Sequence, residues 1–192
     1  MSVGAVSPAQ AAPQVGHGAA AVAVLACGLL LARPWLLDLP FPPTLVLAAL
    51  FVGLGLAAAR WPLPIDRPAP LVTAAAALTV GLAAFALGRG LAGGVPVARL
   101  VPTAVLLNTL AAVAEEALFR RLLYGALLRW GAPLAVVGSA AAFAVVHLTV
   151  WGPWVLPLDF AAGLVLSWQR WISGRWSVAA VTHSAANVMA LL

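Results

Sequence analysis

Seven stretches of almost unbroken apolar residues follow one another along the chain, separated by short segments that hold much of its proline and arginine. They run over 18–32 (reaching toward Leu37 past the Arg33-Pro34 break), 44–59, 71–88, 101 to about 128, 134–150, 155–171, and from Ser177 to the C-terminus. A helix needs about 20 apolar residues to cross roughly 30 Å of hydrocarbon, so the chain has room for six or seven crossings. The breaks are those expected between helices. Residues 60–70, RWPLPIDRPAP, are rich in proline and charge and read as a loop, as do residues 88–99. Gly131-Ala132-Pro133 ends the fourth run, with Pro133 suited to the first turn of the next helix. Trp151 and Trp154 flank Gly152-Pro153, as aromatic residues do at a membrane interface. The pattern predicts an all-α fold: a polytopic transmembrane helix bundle of about seven helices. Residues 1–17 are small and polar, lack the positive start of a secretory signal, and read as a disordered tail.

Composition moves the picture in the same direction. The chain is 64% hydrophobic and 8% charged, with a mean hydropathy of +1.07, whereas a soluble domain is about 25% charged. No separate soluble domain of ordinary size fits. The lipid bilayer is the expected partner, and a multi-pass position in the cell membrane the expected location. The formal net charge is +5, and every basic residue is arginine. These arginines sit at segment ends rather than on one face, which is the flanking pattern of a membrane protein and not a nucleic-acid surface. Counted over seven spans, they place the N-terminus in the cytoplasm. Cys27 is the lone cysteine, so neither an internal disulfide nor a thiolate metal cluster can form.

The polar residues divide the chain. Spans one to three contain almost none and read as scaffold and lipid contact, their small residues allowing close helix approach. Span four carries Asn108, Glu115, Glu116, Arg120 and Arg121; span five carries Ser139 and His147; span seven carries Thr182, His183, Ser184 and Asn187. Charge inside an apolar helix is costly and marks a functional site by default. Residues four apart share a helix face, so Glu116 can pair with Arg120, while Glu115, about 100° round the helix, faces something else. Phe143 and His147 are four apart, and so are His183 and Asn187. Residues 101–192 thus form the expected catalytic core, 18–100 the accessory helices, and the site lies inside the bundle among the four C-terminal helices.

That set of residues suits hydrolysis of an acyl bond. A carboxylate beside an imidazole can hold and deprotonate a water, and a second imidazole with an amide can stabilise an oxyanion. No serine-centred triad and no HExxH zinc helix is present. Glu with two His is nonetheless a plausible zinc set, so a divalent metal, if present, would take Glu115, His147 and His183. The plainer readings are a structural ion pair for Glu116–Arg120, an interface role for Arg121, an interhelical hydrogen bond for Asn108, and a helix-start role for Asp159 outside the site. His17 falls in the tail.

Taken together, the segments resemble a known family. Glu115-Glu116-Ala117-Leu118-Phe119-Arg120 is similar to the EExxxR motif of the CAAX-protease and bacteriocin-processing (abortive-infection) family. Phe143-Ala144-Val145-Val146-His147 is similar to its FxxxH motif, and His183-Ser184-Ala185-Ala186-Asn187 to its HxxxN motif. The likeness covers about Leu107 to Met189. One position departs: the family commonly has glycine after the motif arginine, and Arg121 stands here. The resemblance implies an intramembrane endopeptidase acting on a peptide or protein at the membrane. Eukaryotic relatives trim the last three residues from prenylated CAAX proteins; bacterial relatives are linked to bacteriocin maturation, self-immunity or surface-protein sorting. By analogy Glu115 is the general base, His147 positions the water, Glu116 and Arg120 orient the site, and His183 and Asn187 polarise the carbonyl. The alternative is a non-catalytic immunity or adaptor protein on the same scaffold. A third reading, a small transporter using the buried glutamates, lacks the broken-helix repeat such proteins show.

Overall fold

The computed structural model describes residues 17–61, 68–91 and 101–192. The N-terminal tail up to residue 16, most of the 60–70 loop, and residues 92–100 lie outside the described residues. Arg67 and Arg99, two of the charges used for orientation, lie there too. The described residues are helical, with no strand among them. In order they form α1 (His17–Leu31), the short α2 (Arg33–Leu36), α3 (Pro43–Arg60), α4 (Leu71–Leu91) and α5 (Pro102–Glu116). A π-helical stretch (Ala117–Leu123) then leads into α6 (Tyr124–Leu127) and a 3-10 turn (Leu128–Trp130). The chain ends with α7 (Ala132–Trp151), α8 (Leu156–Ser173) and α9 (Trp176–Met189).

Each apolar run of the sequence falls on one helical rod, and the prolines explain where several begin. Helices α3, α5, α7 and α8 carry proline at their first or second position. There its fixed φ favours the helix and its missing N–H is not needed. The ends use glycine. Gly131 turns at φ +105° and Gly174 at φ +65°, backbone conformations that a side chain would strain.

Length and composition separate the seven rods into two groups. Four rods are long and apolar enough to cross a membrane: Pro43–Arg60, Leu71–Leu91, Pro102–Trp130 and Ala132–Trp151. The other three fall short for separate reasons. The apolar helix Gly18–Leu31 is too short. α9 has 14 residues, about 21 Å at 1.5 Å per residue. α8 is 18 residues long but carries Asp159, Gln169 and Arg170.

Packing places the polar residues at the centre. α5 lies between α3 and α9, α7 packs on α8, and α1 lies against α7 and the π stretch. The α7–α8 approach is very close: a Cβ added to Gly163 would sit 2.9 Å from Ala140 Cα. α4 is clasped by Gln169 of α8, whose Nε2 donates to Ala77 O at 2.9 Å and to Thr182 Oγ1 at 2.8 Å. Outward, α1, α3 and α4 expose Val24, Leu25, Leu45, Leu56, Leu71, Val72 and Leu87. An apolar surface of that extent suits lipid rather than water. The structure is therefore that of an all-α helical bundle of a membrane protein.

Candidate active site

Glu115 and Glu116 occupy the last turn of α5, immediately before the π stretch. The wider π turn leaves carbonyls with further partners. Phe119 O accepts the Tyr124 N–H five residues on and also the Ser139 hydroxyl at 2.8 Å. Arg120 O accepts Arg170 Nε at 3.0 Å. Neighbouring helices thus hold the π geometry in place, and π turns inside α-helices recur at functional sites. Arg120 is fully buried. Its Nη1 donates to Glu116 Oε1 at 3.0 Å, its Nη2 to Gly163 O at 3.1 Å, and its guanidinium lies 4.5 Å from the Phe143 ring centre. The pairing read from the four-residue spacing is present.

Around Glu115 three segments meet. His147 Nε2 is 3.9 Å and His183 Nε2 4.0 Å from Glu115 Oε2. The other nitrogen of each ring is anchored. His147 Nδ1 lies 2.8 Å from Phe143 O, a carbonyl that can only accept, so that nitrogen carries the proton. His183 Nδ1 lies 2.9 Å from Glu116 Oε1 and donates to it. Both Nε2 atoms are left facing the Glu115 side. Phe143 forms the floor, its ring 4.8 Å from that of His147 and 5.5 Å from that of His183. The motif phenylalanine thus packs against both imidazoles and the buried guanidinium, and holds the three in one arrangement. Glu116 Oε1 serves Arg120 and His183 together, which ties the first motif to the third.

Asn187 stands beside this group. Its Nδ2 donates to the backbone carbonyl of Asn108 at 3.2 Å, while the Asn108 side chain bonds back to Ala104 O at 2.8 Å. The interhelical bond expected of the Asn108 side chain is therefore made by its backbone. Asn187, His147 and His183 line two cavities. One, of about 320 Å³, also contains Glu115, Asn108 and Arg33; the other, of about 260 Å³, contains Asp159, Phe85 and Phe143.

Three residues take places the sequence did not indicate. Arg33, at the α1–α2 junction, puts Nη1 3.8 Å from Glu115 Oε1. Asp159, set outside the site above, brings Oδ2 to 3.4 Å from His147 Nδ1. Arg121 crosses to the end of α3, donating to Ala58 O and, at 3.1 Å, to Trp61 O. It is a helix-end partner within the protein. Only the acidic position in the first turn of α8 hinted at Asp159; nothing local marked the other two.

Glu115, His147 and His183 have the chemistry of a zinc set, and the fit can be tested on spacing. Ligands around a tetrahedral zinc with bonds of about 2.1 Å lie roughly 3.4 Å apart. The separations of 3.9 and 4.0 Å are wider. Among the described residues no group of three or more His, Cys, Asp or Glu is placed to hold a metal ion. A water about 2.8 Å from each nitrogen and from the carboxylate matches the spacing better.

The fold and site are those of a helical membrane protein with a carboxylate–imidazole pocket between its helices. Residues 97–189 match the family model for type II CAAX prenyl endopeptidase Rce1-like proteins. That family is one of peptidases, and the match implies a peptide substrate close to the membrane. The match spans all three motifs and stops short of α1–α4. No curated protein and no solved structure matches the chain.

Proposed function

We propose that the protein is a multi-pass intramembrane endopeptidase of the cell membrane that hydrolyses a peptide bond with a glutamate-activated water. The convergence of His147 Nε2 and His183 Nε2 on Glu115 Oε2, at 3.9 and 4.0 Å, carries this reading. In the proposed reaction Glu115 accepts a proton from water as the water oxygen adds to the scissile carbonyl. His147, its Nδ1–H held by Phe143 O, accepts a hydrogen bond from the same water at Nε2 and so aims it. His183, its Nδ1 held by Glu116, and the second amide N–H of Asn187 stabilise the oxyanion. Collapse breaks the C–N bond, and Glu115 returns its proton to the leaving amine. Glu116 and Arg120 orient His183 from below. Residues 101–192 carry this machinery, and 18–100 are accessory to it.

The test is cleavage of a membrane-presented peptide by the purified protein in liposomes, with and without chelator. Glu115→Ala and His183→Ala should each lower turnover by about 100-fold or more, as loss of a general base or an oxyanion donor does, with helicity by circular dichroism unchanged. Full activity in both variants would end the reading.

A further inference from the structure

Arg33 is the feature that the proposed reaction leaves unused. It belongs to the N-terminal part of the chain, ahead of the family match, yet its guanidinium reaches the wall of the cavity that holds Glu115, Asn108, His183 and Asn187. Its placement is built into the fold. Thr149 of α7 donates to Leu31 O at 2.8 Å, fixing the end of α1 beside the site, and Pro34 starts α2 with Arg33 at its head. The ionic contact with Glu115 is 3.8 Å, beyond hydrogen-bonding distance. The fork of donors that makes arginine a receptor for planar anions is thus not closed on Glu115.

Resting on the endopeptidase reading, we propose that Arg33 receives a carboxylate of the peptide substrate next to the scissile bond, making this chain selective for substrates that present one there. Donor geometry supports the assignment. In the resting site the Arg33 cation stands 3.8 Å from Glu115, while Arg120 pairs with Glu116 at 3.0 Å. A substrate carboxylate bound bidentately to Arg33 forms charge-assisted bonds shorter than its contact with Glu115. The carboxylate is either the chain end or an Asp or Glu side chain; both present the same planar anion.

The experiment is a double-mutant cycle between enzyme and substrate. Apolar-anchored peptides in liposomes are prepared with a free C-terminal carboxylate and as the amide, and with Asp or Asn close to the cut. Each is assayed with the wild-type protein, Arg33→Gln and Arg33→Lys. For whichever carboxylate is recognised, Arg33→Gln should lower kcat/KM by about 10- to 100-fold, the range for a hydrogen-bonded charged group. Cleavage of the neutral counterpart should fall by a smaller factor, so that the preference for the charged peptide drops. Arg33→Lys should keep a reduced preference. The arm that shows coupling identifies the carboxylate as chain end or side chain. Equal losses on charged and neutral peptides would overturn the assignment and leave Arg33 as a partner of Glu115 alone. Loss of helicity in both Arg33 variants would overturn it too, by making Arg33 structural. If the wild type cleaves no peptide, the endopeptidase reading falls and takes this inference with it; cleavage without coupling removes the inference alone.

Discussion

Arg120 shows what a single side chain contributes at the centre of this bundle. It is fully buried, bonded to Glu116 and Gly163 O, and laid against Phe143. Removing one partner of a buried ion pair leaves an uncompensated charge, at a cost of about 3–5 kcal/mol. Arg120→Met should therefore lower the unfolding midpoint in detergent sharply, and Arg120→Met with Glu116→Met should recover part of the loss. An unchanged midpoint in the single variant would mean the pair is not buried as described. This contact was legible in the sequence because it is local: one helix and four residues fix it. The company of Glu115 was only partly legible. Spacing said that it must look away from Arg120, and the motifs pointed to His147 and His183. No local rule leads from residue 115 back to Arg33, or assigns Asp159 to His147. Such contacts depend on how separate rods lean together, and helical period carries no information about that.

At the scale of elements, the seven rods were readable and one of their details was not. Apolar runs marked the helices, and Pro133 marked the start of one of them, since proline acts locally. The π stretch Ala117–Leu123 had no signature in its own residues. Ser139 and Arg170, from α7 and α8, take the carbonyls of Phe119 and Arg120, so the distortion is held from outside the segment. The rods also differ in ways the apolar runs did not show. Apolar runs in α1, α8 and α9 look alike as sequence, whereas helix length and buried polar content separate them in the structure. The close approach of α7 and α8 also bears on function. Gly163 of α8 sits where a Cβ would lie 2.9 Å from Ala140 Cα and 3.0 Å from Ala140 O. Backbone atoms cannot step aside as a side chain can, so Gly163→Ala must part α7 from α8. Overpacking of this kind costs about 1–3 kcal/mol. Because Gly163 O also holds Arg120 Nη2, cleavage should fall together with the unfolding midpoint. A variant that keeps both at the wild-type level would show that the two helices have slack the structure does not reveal.

For the molecule as a whole, the question is how the N-terminal helices are joined to the part that carries the motifs. The sequence suggested accessory helices beside a separate core, because spans one to three hold almost no polar side chain. The structure ties the two together at several points. Thr149 holds the end of α1, Gln169 clasps α4, and Arg121 takes the Ala58 and Trp61 carbonyls at the end of α3. Arg121 is also the position where the chain departs from the glycine common in the family it resembles. The departure has a structural meaning: the final carbonyls of a helix lack partners within it, and a cation at that end is favoured by the helix dipole. Arg121→Gly should remove the link while leaving Glu115, His147 and His183 in place. Hydrogen bonds to a charged group contribute about 1.5–3 kcal/mol, so the unfolding midpoint should drop and proteolysis near the end of α3 should quicken. Turnover of a short peptide below the midpoint should stay within about threefold of wild type, because no group facing the substrate has moved. A large fall in turnover with unchanged stability would reverse this assignment and bring Arg121 into the chemistry. Stability lost with turnover retained would show that the first helices are fastened to the core by a residue outside its catalytic set.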